Sequence, residues 1–164
     1  MKSHSLTRLM TIYMVTNDEG TFRHMGWISL YNRREEKHEE VKNWYRDFRS
    51  QKGIVYTTDY VLDETFTLLF RRTPVEAAVE AMKIIDESLR KGYLILERIT
   101  PDRFEKAKKL RLKYQDKPLI SFTDLTSMVV MSEEEIEAAL TEDIHFTYLE
   151  TGFQRVPLLR RKES

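Results

Sequence analysis

Apolar positions follow two different spacings along the chain. Short runs rich in apolar and β-branched residues at 10–15, 54–56, 93–96, 138–141 and 153–156 predict strands. Between them, apolar residues recur every three or four positions, which predicts helices. A helix is expected over 35–50, with Val41, Trp44, Tyr45 and Phe48 on one face and Gly53 closing it. Thr58 or Asp59 caps a helix running to about residue 71. Pro74 opens the next at its first position, with Val75, Val79, Met82, Ile85 and Leu89 as the buried stripe and Gly92 as the end. A further helix begins at Thr100-Pro101 and turns Phe104, Ala107, Leu110 and Tyr114 inward. Another runs from Thr123 to Met131, and the acidic run 133–137 continues or caps it.

Short strands separated by amphipathic helices predict an α/β fold. Its core is a central, mostly parallel sheet of four to five short strands with helices on both faces. In such sheets ligands bind beyond the carboxyl ends of the strands, where the strand order reverses. No repeat or linker divides the chain. Residues 1–20 read as an N-terminal extension or a divergent first strand, 21–157 as one domain, and 158–164 as a basic tail.

Composition narrows the function. The chain has 164 residues, with 27 Lys+Arg against 27 Asp+Glu and a formal net charge of zero. That balance excludes gripping nucleic acid by bulk charge, though not by a local patch. Cysteine is absent, which excludes a disulfide framework, a thiolate metal site and a cysteine nucleophile. The four histidines lack ligand spacing for zinc. No stretch is long and apolar enough to span a membrane, and the first nine residues do not resemble a signal peptide, so a cytoplasmic protein is expected.

Acidic residues cluster after the predicted strands. Asp59, Asp63 and Glu64 follow 54–56, Asp124 follows Leu119-Ile120, and Glu142 and Asp143 follow 138–141. Carboxylates gathered in one crevice stay ionised together only when a cation joins them. Mg²⁺ or Mn²⁺ takes oxygen ligands, and such a cluster suits phosphoryl chemistry. Simpler readings stand beside this one: Asp124 as a helix N-terminal acid, Asp143 as part of an Asp turn, Glu64 as a solvated helix residue.

Four segments, in this order and spacing, resemble the PIN domain, and most closely the VapC-type toxins of toxin–antitoxin pairs. They are Tyr56-Thr-Thr-Asp-Tyr-Val-Leu-Asp-Glu-Thr65, Asp116-Lys-Pro-Leu-Ile-Ser-Phe-Thr-Asp124, Ala139-Leu-Thr-Glu-Asp-Ile-His-Phe146 and Gly152-Phe-Gln-Arg-Val-Pro157. The resemblance implies a PIN-like three-layer sandwich and a metal-dependent endoribonuclease using Mg²⁺ or Mn²⁺. It maps the family's catalytic and metal-binding acids onto Glu64, Asp124 and Asp143. Asp116, Ser121 and Thr141 become supporting groups around those acids. The family's first aspartate has no direct counterpart, because a gapless reading places Arg23-His24 there. Asp18, after the strand at 10–15, is the alternative fourth ligand.

The resemblance also implies an RNA substrate, a small antitoxin partner and a homodimer. Arg33-Arg34 and Arg71-Arg72, each after a helix, are the candidate phosphate contacts; the simpler reading makes them solvated helix ends, favoured there by the helix dipole. With Arg23 in place of an acid, a catalytically weakened PIN-like module binding RNA or protein is the competing expectation.

Overall fold

The computed structural model describes residues 8–11, 43, 46–47, 50–136, 138–140 and 154–156. Five strands lie among the described residues: β1 (Arg8–Thr11), β2 (Ile54–Thr58), β3 (Leu94–Glu97), β4 (Ala138–Leu140) and β5 (Gln154–Val156). Four helices are described in full: α1 (Asp59–Arg72), α2 (Val75–Arg90), α3 (Pro101–Lys113) and α4 (Phe122–Glu133). Asn43, Arg46, Asp47 and Ser50, inside the expected helix over 35–50, are helical. The strand expected at 10–15 is found at Arg8–Thr11, and 12–15 lie outside the described residues.

All strand pairs are parallel, in the order β3-β2-β1-β4-β5. The register sets Met10 beside Tyr56 and Ala139. From β2 the chain moves outward to β3 through α1 and α2, then back across the sheet to β4 through α3 and α4. With right-handed crossovers, reversing direction along a sheet puts the helices on the opposite face.

The core shows that division. Side chains alternate across a strand, so Val55 joins α1 and α2 in one apolar cluster, while Tyr56 joins α3 and α4 in the other. Ala138 and Ala139 split in the same way. Three layers result, as the sequence pattern requires.

Local chemistry fixes the helix ends. Thr58 accepts a hydrogen bond from Val61 N at 3.1 Å and caps α1. Thr100 and Ser121 do the same for α3 and α4. Pro74 is the N-cap of α2, one residue before the position expected for it. Gly92 takes φ 72° after α2, and Tyr93 N returns to Ser88 O at 2.9 Å, a left-handed stop that favours glycine.

The buried stripe of α2 differs from expectation. Ala78, Ala81 and Ile85 are buried, whereas Val75 is 60% and Val79 37% exposed. Two neighbouring stripes of α2 carry apolar residues, and periodicity alone does not choose between them. Packing selects the alanine face because short side chains let the helix approach closely. Phe104 is likewise 37% exposed, its ring lying on Phe122 at 5.0 Å.

Polar ties hold α3 and the loop before α4. Arg111 donates to the carbonyl oxygens of Tyr114, of Lys117 at 2.8 Å and of Ile120 at 2.6 Å. Arg103 reaches Glu97 at 2.8 Å and Glu133 at 2.7 Å, joining the end of β3 to the end of α4. Among the described residues, no helix is long and apolar enough to cross a membrane.

Two outcomes test these ties. Arg111→Ala lowers unfolding free energy by about 2–3 kcal/mol in denaturant melts, and Arg111→Lys recovers only part, because an ammonium lacks the planar fork. The second concerns pH. The bonded Lys106 ammonium, helped by Arg103, holds the Glu133 carboxyl below its ordinary value of 4.5 despite partial burial. A lowered folded pKa adds stability that is complete above 4.5 and lost as pH falls through the lower value. Thermal melting across that acid range falls less steeply for Glu133→Gln than for the wild type.

Candidate active site

The first acid stands on α1. The helix starts directly at the end of β2, and Glu64 lies in its second turn, half-buried. Val61, Leu62 and Thr65 around it are buried, which anchors this part of α1 to the core.

The second acid stands at the start of α4. Ser121 Oγ accepts from Asp124 N at 3.0 Å, and Asp124 Oδ2 accepts from Ser121 N at 3.0 Å. This reciprocal capping box makes Asp124 a helix N-terminal acid, as the simpler reading had it. It also holds the carboxylate, 1% exposed, in one orientation at the positive end of the helix dipole.

Thr123 brings the two helices together. Its Oγ1 donates to Glu64 Oε1 at 2.6 Å, and the residue is 8% exposed. Glu64 is therefore not a freely solvated helix residue, and its partner is the neighbour of Asp124. Burial pushes the Glu64 carboxyl above its ordinary value; the Thr123 hydrogen bond opposes this, and the charge of Asp63 adds to it.

The other expected residues divide between this neighbourhood and places away from it. Ser121 supports Asp124 through main-chain nitrogen bonds in both directions. The Asp116 side chain is 69% exposed and pairs with Lys117 at 3.2 Å. Arg71 and Arg72 are exposed in the last turn of α1. They lie seven and eight residues after Glu64, about 10–12 Å along the helix axis. Asp18, Arg23, Arg33, Arg34, Thr141 and Asp143 lie outside the described residues.

The pattern of the sequence did not single out Thr123. A hydroxyl in a first helical turn beside an acid is ordinary capping chemistry, and its partner lies 59 positions away. The donor set is carboxylate and hydroxyl oxygen, without sulfur or imidazole, and so fits a hard divalent cation. Among the described residues, no group of three or more acidic, histidine or cysteine side chains could hold a metal ion. Of the four expected metal-binding acids, Glu64 and Asp124 are the two that the described residues contain.

Known proteins resemble this chain in sequence and in fold. The PIN domain family model matches residues 27–151. The 23S rRNA-specific endonuclease VapC20 of Mycobacterium tuberculosis, strains CDC 1551 and H37Rv, is 32% identical over 121 residues, covering 74% of this chain and 86% of the relative. The crystal structure of Mycobacterium tuberculosis VapC20, described as a Sarcin-Ricin loop cleaving toxin, superposes with a TM-score of 0.65 at 27% identity. That likeness covers 85% of this chain and 92% of the other. A three-layer parallel α/β fold and these likenesses agree: the chain belongs to the PIN-domain family and is of the VapC type.

Proposed function

We propose that this protein hydrolyses RNA phosphodiesters in a divalent-metal-dependent reaction, as the toxin of a toxin–antitoxin pair. The observation that carries the reading is the link from Glu64 on α1 to the first turn of α4, where Asp124 is buried. VapC-type kinship supports the substrate class, and the relative's name makes 23S rRNA the first RNA to test.

Glu64 and Asp124, with Asp143 and Asp18, would hold Mg²⁺ or Mn²⁺, and such an ion offsets the charge that builds on the scissile phosphate. The chain's own groups supply the rest. Glu64, with one oxygen held by Thr123, orients the attacking water, which gives up a proton to solvent as it reacts. The water oxygen bonds phosphorus, the bond from phosphorus to the leaving oxygen breaks, and that oxygen takes up a proton. Asp124 contributes a carboxylate already oriented by its capping box, so little rearrangement precedes reaction. Arg71 and Arg72, with Arg33 and Arg34, supply phosphate contacts away from the reacting centre. A small antitoxin protein and a second copy of the chain complete the reading as partners.

Cleavage of 23S rRNA with Mn²⁺ is the direct test. Glu64→Gln, Asp124→Asn and Asp143→Asn each lower the rate by about 100-fold or more, and EDTA abolishes it. Equal cleavage by the wild type and all three variants overturns the assignment. Metal binding adds a pH test. A raised carboxyl pKa means that protons compete with the ion up to that pH. Mn²⁺ affinity therefore rises with pH through the acid range and onward to the raised Glu64 value. In calorimetric titrations Glu64→Gln removes that upper part of the dependence. Without metal the same group works the other way, its contribution to folding stability falling as pH rises through the raised value.

A further inference from the structure

We propose that Thr123 is a positioning residue that sets Glu64 against Asp124 for metal binding and RNA cleavage. The inference rests on the metal-nuclease reading above and adds a residue to it.

The geometry argues for a fixed device. A threonine hydroxyl has one proton, and here Glu64 Oε1 receives it at 2.6 Å. A β-branched side chain is stiff at χ1, so the donor moves little on its own backbone. That backbone is held too: Thr126 Oγ1 donates to Thr123 O at 2.7 Å. The Ser121–Asp124 capping box brackets the residue from both sides. At 8% exposure, water competes poorly for the bond.

Glutamate is the opposite kind of side chain, long and with several rotatable bonds. Unaided, Glu64 would sample many positions from α1. The Thr123 bond commits one carboxylate oxygen to α4 and leaves the other for a ligand. It therefore links the two acids through a single rigid residue, although they sit on helices of different apolar clusters. Groups that orient metal-binding carboxylates in this way commonly change affinity by 10–100-fold when removed.

The test compares Thr123→Val and Thr123→Ser in the full chain. Three quantities are measured: Mn²⁺ affinity by calorimetry, kcat and KM on RNA, and thermal melting in EDTA. Thr123→Val is expected to weaken Mn²⁺ binding about 10–100-fold and to lower kcat with little change in KM. Thr123→Ser keeps the hydroxyl and is expected to stay within about threefold of the wild type in affinity and rate, with the same melting temperature. Should the valine variant fail to fold, Thr123→Ala takes its place with the same expected loss. Wild-type Mn²⁺ affinity in the valine or alanine variant overturns the inference and leaves the nuclease reading standing. So does a serine variant as impaired as the valine one. A wild-type protein that neither binds Mn²⁺ nor cleaves RNA overturns both.

Discussion

Every strand in this sheet runs parallel to its neighbours, and that constraint organises the rest of the molecule. Parallel neighbours need long crossovers, so each step between strands must pass over a face of the sheet. β1 lies in the middle, with β2 and β3 wound to one side and β4 and β5 to the other. The helices divide accordingly, α1 and α2 with one apolar cluster, α3 and α4 with the other. Glu64 and Asp124 belong to opposite helix layers, and the Thr123–Glu64 bond joins their helices across that division.

Apolar packing alone does not place two carboxylates with the accuracy that catalysis needs. Short polar ties do this, each fixing one joint. Thr58 starts α1 at the end of β2, and Asp59 Oδ1 accepts from Ile99 N at 3.0 Å, tying that start to the exit of β3. Arg111 gathers the carbonyls of the loop leading to α4. The capping box then aims Asp124, and Thr123 holds Glu64. Much of the charge that cancels in the composition is spent locally. Arg103 and Lys106 meet Glu97, Asp102 and Glu133, which ties α3 to its neighbours.

Strands and caps were legible because their signals are local. The short apolar runs at 54–56 and 93–96 become β2 and β3 with shifts of one or two residues, and Thr58, Thr100 and Gly92 act where the sequence suggests. The face of α2 was less legible, since Val75 and Val79 fit a helical stripe as well as Ala78 and Ala81 do. Glu64 and Asp124 could be picked out by type, position and family resemblance. That Asp116 faces solvent could not, because a carboxylate beside an apolar segment reads alike whether it turns in or out.

The sequence by itself determined the alternation of strand and helix, the helix ends and the acids available for chemistry, because each depends on residues a few positions apart. Only the tertiary structure decided which acids share a neighbourhood. The Thr123–Glu64 bond spans 59 positions, and Arg111 finds its carbonyl partners across a turn rather than along a helix face. Such partners are chosen by how the crossovers fold the chain back on itself, and no local spacing records that choice.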